Sequence, residues 1–262
     1  MSANDDSKMP FTAHLEELRK CLIICVVAAA IGTFICYGFK ERLFHLLMRP
    51  LVRALPQGQK MVFTGLPEAF FVYLEISIIA GIILAMPIIL YETWVFVAPG
   101  LYVHERKFAA PMVILSSIFF AGGVLFAYFV VFPFAFKYLV GFETELVRPL
   151  PAMREYMSLA SALLLAFGLI FELPLVLTML ARIGVVSTAF LKKQRKYAFL
   201  LAFVAAAILT PTPDVFNQVL MAGPIVILYE ISIWGAKIFG KKRVKEGEEG
   251  IKTPEDGKKQ EK

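Results

Sequence analysis

Three carboxylates stand where carboxylates are costly or unexpected. Glu172 lies in the middle of an apolar run, Phe167-Gly-Leu-Ile-Phe-Glu-Leu-Pro174. At membrane depth such a group costs ~2.5–3.5 kcal/mol or more, so it must face protein, water or a partner. Pro174 interrupts the helix ladder just after it and frees backbone carbonyls nearby. The chemistry open to Glu172 is a proton or cation site, or a hydrogen-bonding post for a polar side chain of another helix. The plain structural alternative is a neutral Glu bonded to a neighbouring helix. Glu17 lies in Phe11-Thr-Ala-His-Leu-Glu-Glu-Leu-Arg-Lys20, and Glu105 in Pro99-Gly-Leu-Tyr-Val-His-Glu-Arg-Lys107. Both flank apolar blocks on the same side, and two carboxylates at an interface are suited to grip guanidinium groups bidentately. The alternative is that Glu17 complements the dipole of its helix start and Glu105 pairs with Arg106 or Lys107. Glu75 and Glu230 lie nearer the ends of their blocks and read as residues that reach a water interface.

These acids need elements to hold them. Of the 262 residues 58% are hydrophobic and 18% charged, and Phe alone contributes 24. The apolar residues sit in blocks, with Gly, Pro and most charge between them. A helix of 20 residues crosses a ~30 Å hydrocarbon core. The sequence therefore predicts an all-α, polytopic membrane protein with six spans at about 21–39, 70–97, 110–132, 158–181, 197–210 and 215–234. The first block is too long and too late for a cleaved signal peptide. The fifth has about 14 apolar residues, only ~21 Å of helix, so it borrows from Leu191–Lys196 or the bilayer thins beside it. Residues 1–20 form an amphipathic helix running into the first span, with Phe11, Leu15, Leu18 and Leu22 as its apolar stripe and Thr12 as its cap.

Lys and Arg in the loops set the orientation. Nineteen lie in 1–20, 98–109, 182–196 and beyond 235, against eight in 40–69 and 133–157. Both termini are expected in the cytoplasm. The tail 240–262 mixes charges with almost no apolar residues, so it is expected to be disordered, its first basic cluster near anionic headgroups. Nucleic-acid binding is not implied by the net charge of +6, because the basic residues flank membrane helices.

Other chemistry is excluded. Cys21, Cys25 and Cys36 all fall in the first block, without an acid or His inside the span to make a metal site, and read as buried small hydrophobes. His14, His45 and His104 lie apart. Gly235–Lys242 approaches a phosphate loop but ends in Lys242 where Ser or Thr is required, after a membrane helix instead of a strand. Neither a nucleophile set nor a metal or cofactor site is legible, so no enzyme is expected.

The segments HLEELR (14–19), FVAPGLYVHER (96–106), AYFVVFP (127–133), FGLIFELP (167–174) and LTPTPDVFNQ (209–218) resemble, in order, the TatC family, the receptor subunit of the twin-arginine translocase. The resemblance runs from about residue 11 to 239. It implies a multi-pass protein of the bacterial inner membrane that binds signal peptides carrying an Arg-Arg pair. It implies export of folded cargo driven by the proton-motive force, with TatA-type and TatB-type single-span partners, further copies of itself in the receptor complex, and no cofactor. It places Glu17, Glu105 and Phe96 in signal recognition, with Arg19, Leu101, Tyr102 and His104 in the same motifs. It places Glu172, Asp214 and Gln218 at intramembrane polar or partner contacts, and gives Pro50, Pro99 and Pro174 structural roles. Residue chemistry alone also allows a proton-coupled transporter of a small solute built on Glu172, which would show inverted repeats; the 21–132 and 158–234 halves show no clear repeat.

Overall fold

A computed structural model describes residues 11–55, 61–62, 65–97, 109–141, 150–210 and 214–240. Among them the regular structure is helical: α1 Phe11–Tyr37, α2 Lys40–Ala54, α3 Glu68–Val97, α4 Ala109–Phe126, a π turn at Ala127–Val131, α5 Phe132–Val140, α6 Met153–Phe171, α7 Leu173–Ile183, α8 Thr188–Lys193, α9 Arg195–Leu209 and α10 Val215–Phe239. The only extended pairing there is a single bridge between Val62 and Ala152.

Five stretches are long and apolar enough to cross a bilayer: His14–Tyr37, Glu68–Phe96, Pro111–Val140, Met153–Ile183 and Val215–Phe239. All five overlap expected spans, though His14–Tyr37 starts before 21, Pro111–Val140 runs past 132, Val215–Phe239 runs past 234 and Met153–Ile183 extends the 158–181 block at both ends. The expected fifth span is α9, whose 15 residues fall short. It borrows only Arg195 and Lys196 from the preceding segment, because α8 ends at Lys193 and the chain turns at Gln194. The segment 40–69, read as a loop, contains α2. Its apolar residues Leu43, Leu47 and Leu51 recur every four, a helical signal that its five basic residues obscure in a hydropathy reading. Thr12 is inside α1, not at its cap.

Large apolar side chains cover the outside, among them Phe34 at 85% and Ile208 at 79% exposed. Water would oppose such a surface, whereas hydrocarbon does not. The Leu15, Leu18 and Leu22 stripe of α1 is likewise exposed, so it meets the apolar medium while the other face of α1 packs on α3. With no hydrophobic drive between helices in lipid, close packing has to hold them. Gly32 and Gly81 supply it where α1 crosses α3: a Cβ on Gly32 would come within 2.5 Å of the Gly81 carbonyl oxygen, and one on Gly81 within 2.3 Å of the Thr33 nitrogen. At the centre Phe132, Phe167, Met157, Leu163 and Met221 are fully buried and join the third crossing, α6 and α10.

Pro50 explains how α2 is seated. It lies inside α2, lacks an N–H, and so leaves the Leu46 carbonyl without its helical donor while its ring crowds that turn. Tyr128 donates its hydroxyl to the Leu46 oxygen at 2.8 Å, and Tyr156 donates to Leu47 next to it. The proline that weakens α2 thus frees the acceptor that Tyr128 uses to fasten it to the third crossing, and Tyr156 ties the neighbouring Leu47 carbonyl to the fourth. Nearby, the buried Glu68 accepts backbone N–H bonds from Gly65 at 3.1 Å and Arg154 at 2.9 Å. Tyr156→Phe is expected to lower stability by about 1–2 kcal/mol, since it strands an acceptor beside a buried ring, and Tyr128→Phe by less than that, because its bond is closer to the surface. Thermal unfolding of the two variants in detergent checks the order.

Candidate functional site

The sequence-derived acids divide into two groups. The first lies where the start of α1 meets the end of α3. The two helices run antiparallel, so the glycine crossing puts His14 and Glu17 beside residues 92–96. The His14 ring stacks on Phe96, with centroids 4.4 Å apart and planes 14° from parallel. Its Nδ1 is 3.8 Å from Glu17 Oε2, too far for a hydrogen bond but close enough to feel the charge. Glu17 Oε2 is buried and has no hydrogen-bond partner among the described residues. Glu16 differs: it pairs with Lys20 at 3.0 Å on the exposed face. One acid of the pair is therefore engaged, and the other is turned toward α3 with acceptor capacity unused. Arg19 is exposed and, two residues on from Glu17, stands on another face of α1, so the structure does not join the two. Glu92, which sequence reasoning passed over, belongs here. It lies one helical turn before Phe96, and its carboxyl accepts a hydrogen bond from the Cys21 thiol. Its spacing of four from Phe96 was the available signal. Pro99, Leu101, Tyr102, His104 and Glu105 lie outside the described residues.

The second group centres on Glu172. Pro174 is at the start of α7 and cannot donate to the Ile170 carbonyl, so the fourth crossing breaks: α6 stops at Phe171, and Leu175 and Val176 restart the ladder on the Glu172 carbonyl at 3.0 and 2.9 Å. Glu172 sits at the break, 11 residues of α7 from its end, or ~16 Å of helix. The residue is 7% exposed, and its Oε1 is buried without a partner among the described residues. Its polar neighbour across the helix interface is the Ser116 hydroxyl on α4. Ser116 in turn accepts from Trp94 Nε1 at 3.0 Å, and both residues are buried. A chain of polar contacts therefore runs Trp94–Ser116–Glu172, from two residues before Phe96 to the break. One carboxyl oxygen is left to receive a donor.

Asp214 and Gln218 do not join Glu172. α7 and α10 run parallel, with Thr178 against Gly235 and Ala181 against Gly240. On that register Glu172 is level with about residue 229, some 11 residues or ~16 Å from Gln218. Asp214 caps α10, accepting from Asn217 N at 2.7 Å and Asn217 Nδ2 at 3.0 Å. Gln218 donates to the Phe203 carbonyl at 3.2 Å and ties α9 to α10. Both residues shape this hairpin. Glu230 pairs with Arg195 across the same two helices at 2.6 Å; both are about half exposed, so the pair contributes little. Among the described residues no cluster of His, Cys, Asp and Glu has the make-up of a metal site.

Ser116→Ala is expected to cost about 1–3 kcal/mol, because it leaves the Trp94 N–H buried without an acceptor. Trp94→Phe in the same chain should recover part of that loss, since removing both partners removes the stranded donor. Unfolding midpoints of the two single variants and the double variant check the coupling, and additive losses would count against it.

Comparison with known proteins gives a consistent picture. The family model for Sec-independent protein translocase protein (TatC) matches residues 13–224. A protein of Desulforapulum autotrophicum named Sec-independent protein translocase protein TatC is 53% identical over 251 residues, 96% of this chain and 93% of its own length. The protein of that name in Escherichia coli strain K12 is 40% identical, covering 94% of this chain and 95% of its own length. A crystal structure of the twin-arginine translocase receptor TatC superimposes with a TM-score of 0.77 at 40% identity, covering 86% of this chain and 98% of that one.

Proposed function

Because the chain belongs to the TatC family of Sec-independent protein translocase proteins, we propose that it is the subunit that binds Arg-Arg signal peptides and starts assembly of the export machinery. It is a multi-pass membrane protein of a protein-translocating system, and a transport component, not an enzyme. In our reading the membrane is the bacterial inner membrane. Transport of folded cargo is driven by the proton-motive force, and TatA-type and TatB-type proteins and further copies of this chain are the partners.

The observation that supports recognition most is Glu17. Its Oε2 is buried and has no hydrogen-bond partner among the described residues, while neighbouring Glu16 is spent on Lys20. A desolvated carboxylate with free acceptor capacity is what a guanidinium fork satisfies. His14 stacked on Phe96 fixes the end of α1 against α3 beside it. Glu105 enters through the Pro99–Arg106 motif that resembles the family's second acid. In this reading both termini are cytoplasmic, in line with the excess of Lys and Arg on that side, and α9 with α10 forms the last hairpin. The 15 residues of α9 cover ~22 Å, so a sixth crossing requires the bilayer to thin beside it. Glu172 serves partner assembly, its free Oε1 receiving a donor from a partner helix. A solute transporter built on Glu172 loses its support, since the family is a protein translocase.

Two experiments test this reading. Glu17→Gln and Glu105→Gln should each weaken binding of a twin-arginine peptide about five- to thirtyfold, from ~1–2 kcal/mol per partly desolvated pair. Lys at either position should be worse, added salt should weaken wild-type binding, and a Lys-Lys peptide should bind less well because Lys lacks the planar fork. Affinity measured on purified, folded variants decides: wild-type values in both Gln variants sink the assignment. Glu172→Ala should leave peptide affinity within about twofold, well under 1 kcal/mol, and reduce partner co-purification and transport. Gln should be milder, because it still accepts a hydrogen bond. Equal loss in Gln and Ala, with a pH-dependent solute current through the wild type, would return the transporter reading.

A further inference from the structure

The five basic residues of 40–69 oppose the charge bias that orients the chain, and recognition at the other end does not use them. Two are occupied locally: Lys40 Nζ lies 4.2 Å from the Tyr37 ring centroid and 5.9 Å from that of Tyr73, and the Arg42 guanidinium lies 6.0 Å from that of Phe39. Lys60 is outside the described residues. Arg49 and Arg53 remain. They are one turn apart on α2, so they share a face. Both are exposed, and neither has an acid or a ring as partner among the described residues.

Both line a cavity of about 270 Å³ between α2 and the third crossing. Its other walls include Leu46, Phe129 and Pro133, and no acid lines it among the described residues. The Tyr128 hydroxyl, also at the wall, is spent on the Leu46 carbonyl. Phe129 is 67% and Leu46 44% exposed, so the apolar side opens to hydrocarbon. Depth is set by counting along the third crossing from Pro111. Tyr128 is 17 residues on, ~26 Å, and Pro133 is 22 residues on, ~33 Å. A ~30 Å hydrocarbon core ends between them. The cavity therefore has a cationic rim at headgroup level and an apolar floor at acyl level, on the leaflet opposite Glu17. It is below the ~300–1,000 Å³ of a site for a drug-sized ligand, a size that suits a headgroup and the first part of a chain.

The geometry points to a binding site for one anionic phospholipid, its phosphate held by Arg49 and Arg53 and its acyl chains lying over Leu46 and Phe129. Guanidinium forks match a phosphate oxygen pair. A net negative lipid is preferred over a zwitterionic one, because the cavity offers cations and no counter-acid for a choline. Pro50 contributes indirectly: by opening the Leu46 carbonyl to Tyr128 it fixes α2 at the distance from the third crossing that leaves this space.

The test uses the full chain in detergent, titrated separately with phosphatidylglycerol, phosphatidylcholine and inorganic phosphate. Retained lipid is counted by native mass spectrometry. At about fivefold per headgroup-level cation, R49Q/R53Q should lower phosphatidylglycerol retention more than tenfold, and leave twin-arginine peptide affinity unchanged as evidence of folding. K192Q/K193Q removes the same charge at the opposite end and should leave retention as in wild type. Wild type should hold phosphatidylglycerol over phosphatidylcholine, and millimolar phosphate should not displace it. Unchanged retention in R49Q/R53Q, equal retention of the two lipids, or equal loss in the two double variants would overturn the proposal. Displacement by phosphate alone would also overturn it, by reducing the site to one for a free anion.

Discussion

In hydrocarbon every backbone N–H and C=O needs a partner inside the protein, because no water replaces a missing one. This chain places prolines inside helices at Pro50, Pro87 and Pro224, and at Pro133 and Pro174 where one helical segment gives way to the next. Each proline withdraws a donor from the carbonyl four residues earlier. The Tyr128 hydroxyl answers Pro50. Ahead of Pro133 the ladder widens by one residue, with the Phe132 N–H reaching the Ala127 carbonyl, so the turn is a π turn spanning the carbonyl that loses its donor. At Pro174 the crossing breaks and restarts on Glu172. The departures from straight helices thus follow from one accounting rule applied at successive prolines.

The same rule places the intramembrane carboxylate. Glu172 is not buried in the face of a continuous helix, where its side chain would have to find room between packed neighbours. It stands at the break, where its own carbonyl starts α7 and its side chain turns toward α4. Gly168, one turn earlier, lets Phe120 approach: a Cβ there would lie 2.5 Å from that ring. Proline at 174 and glycine at 168 let α4 approach the break, with the Ser116 hydroxyl near the carboxyl. One polar atom answers only part of a carboxylate's acceptor capacity, and the remainder is the property a partner helix can use.

Legibility divided along physical lines. Spans that bury one side and expose the other to lipid are apolar all round, so block length found them. α2 was missed because it is amphipathic and carries Lys40, Arg42, Arg49 and Arg53, which a hydropathy reading takes for a loop. α9 was found but its shortness persists in the structure, because Gln194 separates it from α8. Among site residues, Glu17 and Glu172 were legible as charges in the wrong solvent. Ser116 and Trp94 were not, since a serine and a tryptophan in apolar blocks are ordinary there; only the fold brings residues 22 apart to 3.0 Å. The resemblance implied intramembrane polar contacts at Asp214 and Gln218; Asp214 caps α10 and Gln218 donates to the Phe203 carbonyl.

The arrangement also explains why two functional ends can coexist on one small membrane protein. In the reading proposed above, a carboxylate kept for guanidinium at one boundary and guanidinium groups kept for phosphate at the other would pair with each other and repel each other's ligands if they shared a face. Tyr37, where α1 ends, lies 20 residues or ~30 Å from Glu17, and α2 begins only after it, at Lys40. At physiological salt the Debye length is ~8 Å, so the two fields are independent wherever water intervenes. Between them runs the rigid glycine crossing of α1 on α3, which admits no side chain larger than hydrogen at Gly32 or Gly81. That crossing carries no charge and makes no ligand contact. It fixes the start of α1 against residues 92–96 by steric exclusion alone, and so makes a buried Glu17 Oε2 without a hydrogen-bond partner among the described residues a stable feature of the fold.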